Sequence, residues 1–120
     1  MKIMIVDDHW KMRNLIRELL AKTGVETREC VSGNDALRIA REFQPDWVIM
    51  DVHLPGVSGL EATEIIRKEV PGARIVVVST DDRSYLREAA QTAGAHEFLC
   101  KHDLARLPRM IFGPGSPPAA

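Results

Sequence analysis

The sequence predicts an α/β protein built on one doubly wound, parallel sheet of five strands. Three runs of consecutive apolar residues, at positions 3–6, 47–50 and 75–78, are typical of strands that are covered on both faces. Stretches with apolar residues three and four positions apart separate these runs, and that spacing predicts amphipathic helices. Such an alternation over 120 residues indicates a single domain.

Two further strands complete the predicted sheet. Positions 97–100 form a short, largely apolar segment, which we interpret as a buried strand. Positions 25–30 mix Val, Thr and Cys with charged residues, and this composition favours a half-exposed edge strand.

Helices are predicted in the intervals between the strands. Ser32 and Ser58 are each followed three residues later by an acidic residue, a pattern that predicts helix N-termini. Helix ends are predicted at Gly24, Pro45, Pro71 and Gly94. The apolar stripes are Met12, Leu15, Ile16, Leu19 and Leu20; Ala36, Leu37, Ala40 and Phe43; Ala62, Ile65, Ile66 and Val70; and Leu86, Ala89, Ala90 and Ala93.

The repeated strand–helix order predicts how the strands are arranged. Crossovers between parallel strands are right-handed, so helices cover both faces of the sheet. Five strands fit a flavodoxin-like (βα)5 fold with strand order 2-1-3-4-5 better than a closed eight-stranded barrel.

The last helix is predicted to be short. Asp103 could cap it, but Pro108 falls where a longer helix would have its interior, at a cost of about 3 kcal/mol. We expect a domain over residues 1–112 and a Pro/Gly-rich linker or mobile, disordered tail over 113–120. A short helix would leave apolar surface beside it, so we expect a homodimer through this C-terminal face or its coverage by a neighbouring domain.

Composition excludes several classes of function. The 16 basic and 17 acidic residues give a net charge of −1, which indicates neither a nucleic-acid nor a membrane partner. The longest apolar runs have four residues, too few to span a bilayer. Cys30 and Cys100 are too few for a disulfide scaffold, and we expect two buried thiols in a reduced cytoplasm.

Chemically active side chains follow the predicted strands. Ligand sites of open parallel sheets lie beyond the carboxyl ends of the strands, where the strand order reverses. Three carboxylates, two hydroxyls and one ammonium reach that edge: Asp7, Asp8, Asp51, Ser79, Thr80 and Lys101. Neighbouring carboxylates need a compensating cation, and oxygen ligands favour Mg²⁺. The set fits an aspartyl nucleophile that takes a phosphoryl group.

At these residues the sequence resembles the receiver domain of bacterial two-component response regulators. Segments at family-like spacing carry the resemblance, and positions 7–13 look most like receivers that precede a C-terminal helix-turn-helix DNA-binding domain. The segments lie at 5–8, 50–56, 58–59, 76–80 and 98–101.

The resemblance implies a role for each matching residue. Asp51 would be the phospho-acceptor, and Lys101 would pair with the phosphate. Ser79 would be the switch hydroxyl, with Thr80 as the competitor one residue on, and Phe98 the switch aromatic. The implied Mg²⁺ ligands are Asp7 or Asp8, Asp51 and the main-chain carbonyl of His53.

The resemblance also implies partners and a location. A sensor histidine kinase would donate the phosphoryl group, and the chain would catalyse only its own phosphorylation and dephosphorylation. DNA would be reached only through a separate output domain, no membrane is involved, and the location is cytoplasmic. Family members often have proline after the lysine; here it is His102, so we expect a trans peptide bond and a different loop.

Three alternatives use the same sheet edge differently. A Mg²⁺-dependent phosphatase of the haloacid dehalogenase type also uses an aspartyl nucleophile, although that class separates its two aspartates by one residue. A flavodoxin-like cofactor carrier is disfavoured because acids stand where its phosphate loop would be. His9 and His53 could instead join the aspartates as ligands of a transition metal.

Overall fold

A five-stranded parallel sheet forms the centre of the molecule. The computed structural model describes residues 1–81 and 83–113. The strands, in sheet order β2-β1-β3-β4-β5, confirm the predicted topology. Their bounds are β1 Lys2–Val6, β2 Glu26–Cys30, β3 Trp47–Asp51, β4 Arg74–Ser79 and β5 Glu97–Cys100.

Four regular helices connect the strands: α1 Trp10–Leu19, α2 Gly33–Phe43, α3 Gly59–Glu69 and α4 Ser84–Ala93. Both predicted serine caps are present, because Ser32 Oγ accepts the N–H of Asp35 at 3.1 Å and Ser58 Oγ accepts that of Glu61 at 3.2 Å. Gly94 ends α4 in the left-handed region, with φ of 100°. Helix α1 ends five residues before the predicted stop at Gly24.

The core has two layers, one on each face of the sheet. Helices α2, α3 and α4 cover one face, with residues such as Phe43, Ile66 and Leu86. Helix α1 and the C-terminal segment cover the other, with Ile16 and Leu107. This is the doubly wound arrangement that the strand–helix order predicted.

The C-terminal segment is a short helix, as predicted, but it begins differently. A 3₁₀ helix spans Lys101–Arg106, and α5 spans Leu107–Phe112. Asp103 lies inside the 3₁₀ helix with non-helical dihedral angles and does not cap α5. Pro108 lies in the first turn of α5, where a missing N–H costs no helical hydrogen bond, so the expected interior penalty does not arise. The peptide bonds of the described residues are trans, as expected for the loop at His102.

The apolar surface beside this segment is only partly open. Leu104, Leu107 and Ile111 are buried against the sheet, so the flank is covered better than expected. Leu15 remains 44% exposed on the outer side of α1. The ammonium of Lys22 lies 4.7 Å from the ring centre of Phe112 and covers part of the remaining edge.

His96 lies at the amino edge of the sheet, beside the start of β4. Its Nδ1 accepts the main-chain N–H of Ile75 at 3.0 Å, which requires an unprotonated nitrogen at that position. Burial lowers the pKa of His96, and the positive charges of Arg67 and Arg74 lower it further. The neutral imidazole is therefore part of the folded structure.

Both cysteines are buried and free, as expected. Among residues 1–81 and 83–113, no helix has the length and apolar character that crossing a bilayer would demand. The predicted tail at 113–120 lies outside the described residues except for Gly113.

Candidate functional site

The strand register brings the predicted site residues to one edge of the sheet. Val6, the last residue of β1, pairs with Met50, so Asp7 and Asp51 follow at the same level. Asp51 pairs with Val78, and Ser79 pairs with Cys100, the residue before Lys101. Four neighbouring strand ends therefore present their side chains at the carboxyl edge.

An ammonium group lies between two buried carboxylates. Lys101 Nζ donates to Asp7 Oδ2 at 2.9 Å and lies 3.3 Å from Asp51 Oδ1. The exposed fractions of the three side chains are 9% for Lys101, 0% for Asp7 and 4% for Asp51. The cation compensates part of the repulsion between the two acids.

The pocket shifts the pKa values of Asp51 and Lys101. Burial raises the pKa of Asp51, the charge of Lys101 opposes that effect, and the nearby Asp7 reinforces it. For Lys101, burial alone would lower the pKa, but the hydrogen bond to Asp7 and the charge of Asp51 prevail and raise it. The ammonium is therefore held in its charged form.

Close backbone packing positions Asp51. The main-chain N–H of His53 points to Asp51 Oδ1 at 3.4 Å. A Cβ atom at Gly59 would lie 1.9 Å from the main-chain oxygen of Asp51, so only glycine lets α3 start this close to the end of β3. Gly33, at the start of α2, is equally restricted, with a Cβ position 2.2 Å from the oxygen of Val57.

The other acids complete a cluster suited to a cation. Asp8 is exposed, whereas Asp7 is buried. One ligand atom from each of Asp7, Asp8, His9 and Asp51 lies within 4.8 Å of the others. Three carboxylates fit a hard divalent cation that keeps several waters, so the donor set suits Mg²⁺.

Ser79 and Thr80 differ in burial. Ser79 is fully buried at the end of β4, and its Oγ accepts the N–H of Asp81 at 3.0 Å. Thr80 is exposed. The pocket side of β4 is therefore occupied by Ser79.

Phe98 lies away from the acids, on the sheet face covered by α2, α3 and α4. It is half-buried, and the guanidinium of Arg87 lies 4.8 Å from its ring centre. The aromatic ring therefore contacts α4 rather than the carboxylates.

One residue that shapes the pocket was not predicted from the sequence. Arg13 of α1 donates to the main-chain oxygen of Asp7 at 2.8 Å and to Glu29 Oε1 at 3.1 Å. Its position one helical turn after His9 was the available signal. The missed contact fixes the loop that carries Asp7, Asp8 and His9.

Comparison with known proteins identifies this arrangement. The profile of the response regulator receiver domain matches residues 3–112. The chain belongs to the response regulator receiver family. The family acts in phosphorylation-activated signalling, generally binds Mg²⁺ at an acidic pocket and works with histidine kinases; the phosphatase alternative is not supported.

Individual relatives of this receiver are also response regulators or related signalling proteins. The response regulator GacA of Pseudomonas aeruginosa is 36% identical over 119 residues, which cover 92% of this chain and 55% of GacA. The transcriptional activator protein ExaE of Pseudomonas putida is 40% identical over 84% of this chain and 48% of its own. The chain therefore spans about half the length of these curated relatives. The chemotaxis protein CheY of Thermotoga maritima is 34% identical over 83% of this chain and 84% of CheY.

A solved structure gives the same fold. The LuxR-family two-component response regulator from Aurantimonas sp. SI85-9A1 superposes with a TM-score of 0.85 at 37% identity, over 92% of this chain and 81% of that one. The flavodoxin-like fold and the receiver resemblance predicted from sequence are confirmed.

Proposed function

We propose that this receiver accepts a phosphoryl group on Asp51 from a sensor histidine kinase. The observation that carries the proposal is the ammonium of Lys101 between Asp51 Oδ1 and Asp7 Oδ2, in a pocket where all three side chains are almost fully buried. Asp51 is the member of this group on the central strand β3, and its neighbours supply both charge compensation and hydrogen-bond donors.

The transfer uses groups that the pocket already holds. A carboxylate oxygen of Asp51 attacks phosphorus, an O–P bond forms, and the N–P bond of the phosphohistidine breaks, with the imidazole taking up a proton. Lys101 and the main-chain N–H of His53 contact Asp51 Oδ1 and are placed to stabilise charge on the phosphoryl group. The Ser79 hydroxyl keeps its proton available for a phosphoryl oxygen, since its contact with Asp81 uses only a lone pair.

Mg²⁺ fits the acidic cluster as the cofactor. The ligands we assign are Asp7, Asp8, Asp51 and the main-chain carbonyl of His53. When bound, the cation neutralises phosphoryl oxygens during transfer. Asp7 Oδ2 accepts from Lys101, whereas Asp8 is exposed and contacts His9 Nδ1 through Oδ1 alone, so Asp8 is the carboxylate that can turn toward the cation most easily.

Phosphorylation is proposed to change the conformation around Ser79 and Phe98. The chain catalyses its own phosphorylation and dephosphorylation, in the cytoplasm, and turns over no external phosphomonoester. Because relatives include a transcriptional activator of about twice this length, we propose that a separate domain provides a DNA-binding output. The half-open face of α1 and α5 is the proposed homodimer surface.

The test is labelling with acetyl phosphate and Mg²⁺. We expect an adduct on the wild-type chain, its loss in Asp51→Asn, and no steady hydrolysis of phosphomonoesters. Labelling of Asp51→Asn at the wild-type level would contradict the assignment of the acceptor.

The metal ligands are tested separately by Mg²⁺ titration of Asp8→Ala, with Asp46→Ala as the matched control. Asp46 lies at the opposite edge, where it accepts the N–H of Lys2. We expect weaker Mg²⁺ binding and slower labelling in Asp8→Ala, and wild-type behaviour in Asp46→Ala. Identical titration curves for wild type, Asp7→Ala and Asp8→Ala would refute the ligand set.

A further inference from the structure

A guanidinium outside the acidic cluster holds the main chain that carries two of the acids. Arg13 Nη1 donates to the main-chain oxygen of Asp7 at 2.8 Å, and Arg13 Nε donates to Glu29 Oε1 at 3.1 Å. The Arg13 side chain is only 15% exposed. One side chain thus joins α1, the edge strand β2 and the loop that follows β1.

The carbonyl that Arg13 holds belongs to the peptide unit between Asp7 and Asp8. A peptide unit is planar, so the direction of its oxygen also fixes its N–H and the course of the chain into Asp8. The N–H on the other side of Asp7 donates to the main-chain oxygen of Cys30 at 3.0 Å. The orientation of Asp8 therefore follows from contacts that α1 and β2 make with the residue before it.

Glu29 fixes the guanidinium in turn. Its Oε1 accepts from Arg13, and its Oε2 accepts from Arg17 Nη1 at 2.9 Å. Glu29 lies one residue before the end of β2, where it pairs with Ile5 of β1. A planar guanidinium that donates from two nitrogens to two acceptors has a defined orientation, which a lysine ammonium would lack.

We propose that Arg13 and Glu29 are positioning residues that set the Mg²⁺ affinity of this receiver. The guanidinium holds the peptide unit before Asp8, the carboxylate of Glu29 holds the guanidinium, and neither side chain is a ligand of the ion. The inference rests on the proposed function, because it uses the ligand role given there to Asp8. Without the guanidinium the loop samples further conformations, and the affinity falls with the fraction of molecules in which Asp8 is in place.

The experiment measures Mg²⁺ affinity of the whole chain by titration calorimetry. The chains are wild type, Arg13→Ala, Glu29→Gln and the double variant, and urea unfolding of each reports its stability. Arg41→Ala and Glu69→Gln are matched controls, because Arg41 Nε and Nη2 donate to Glu69 at 2.6 and 3.1 Å. That ion pair joins α2 to α3 on the sheet face opposite to α1.

We expect Arg13→Ala to lose about tenfold or more in Mg²⁺ affinity, since removal of a residue that orients a metal ligand typically has an effect of this size. Glu29→Gln should lose less, about two- to fivefold, because a partly exposed ion pair contributes little by itself. It should have no added effect once Arg13 is gone, because it acts through that residue. Both controls should bind Mg²⁺ as the wild type does, whatever their stability.

Wild-type affinity in Arg13→Ala would overturn the proposal. Losses that simply add in the double variant would also overturn it, because the two residues would then act independently. If Arg13→Ala does not fold, Glu29→Gln decides the question, since glutamine keeps the shape of the side chain; a wild-type Mg²⁺ affinity in that variant would refute the positioning role.

The metal-free chain gives a second readout. The main-chain N–H of His9 donates to Asp7 Oδ1 at 2.9 Å, so its hydrogen exchange reports the order of this loop. In EDTA, exchange at His9 should be faster in Arg13→Ala than in wild type and unchanged in Arg41→Ala. Equal exchange rates in the three chains would contradict the proposal.

Labelling of the wild-type chain with acetyl phosphate and Mg²⁺ separates this inference from the proposed function. A wild-type chain that neither binds Mg²⁺ nor is labelled would refute the proposed function. Wild-type binding and labelling that Arg13→Ala retains in full would refute the positioning role alone.

Discussion

Lys101→Met should destabilise the chain strongly at neutral pH without metal. The substitution keeps an apolar stem but removes the cation between Asp7 Oδ2 at 2.9 Å and Asp51 Oδ1 at 3.3 Å. Each contact is worth about 5 kcal/mol at an effective dielectric constant of about 20, before the cost of burying the ammonium is subtracted. Breaking a buried pair from one side typically costs about 3–5 kcal/mol, and we expect a loss of about 3 kcal/mol.

The loss should depend on pH and on Mg²⁺. Without the opposing charge of Lys101, burial and the nearby Asp7 raise the pKa of Asp51 further in the folded state, which then binds a proton more readily than the unfolded state. The variant therefore recovers stability as the pH falls through that raised pKa, the opposite of a salt-bridged carboxylate. Mg²⁺ should stabilise the variant more than the wild type, because it replaces the missing charge.

Urea unfolding at neutral and mildly acidic pH, with EDTA or Mg²⁺, measures these effects. Lys68→Met is the matched control, because Lys68 is exposed on α3. A wild-type midpoint for Lys101→Met in EDTA at neutral pH would refute the electrostatic reasoning, as would a loss that grows on acidification.

Two further substitutions test the packing and the sheet edge. Gly59→Ala should lower the free energy of unfolding in urea by about 3 kcal/mol, because the added Cβ would lie 1.9 Å from the main-chain oxygen of Asp51. The control Gly72→Ala should be nearly neutral, because no atom lies within 4 Å of its Cβ position; equal unfolding midpoints for the two variants would contradict this. His96→Gln should weaken the pH dependence of the free energy of unfolding. The folded pKa of His96 lies below 6.5, so its contact with Ile75 contributes fully above about pH 6.5 and is lost as the pH falls through the folded value; parallel pH curves for wild type and variant would exclude this role.

The sheet and the residues at its carboxyl edge were predictable because their positions follow from periodicity. A strand that is buried on both faces must be apolar along its length, so the first polar residue marks its end. Asp7, Asp51 and Lys101 each stand at such a boundary, and the parallel register then places them together. Their assembly required no knowledge of loop structure.

Features that depend on tertiary contacts were not predictable. Gly59 reads as an ordinary helix-start residue, and only the packing of α3 against β3 reveals why a side chain cannot fit there. The direction of the His9 ring depends on the conformation of the loop before α1, in which Arg13 donates to the main-chain oxygen of Asp7. Asp is a residue type that commonly caps helices, but α5 begins only at Leu107, after Asp103 and the buried Leu104.

The two native thiols give the molecule an internal reporter of partial opening. Cys30 ends β2 and Cys100 ends β5, so each outer strand of the sheet carries one sulfur atom. Burial raises the pKa of Cys30 to about 12, with the charge of Asp35 adding to the effect, and Cys100 is only 5% exposed. A thiol reagent thus reacts only after the corresponding edge has opened. The relative alkylation rates of the two cysteines therefore rank the local stabilities of the two edges, and show which one loosens when Asp51 is modified.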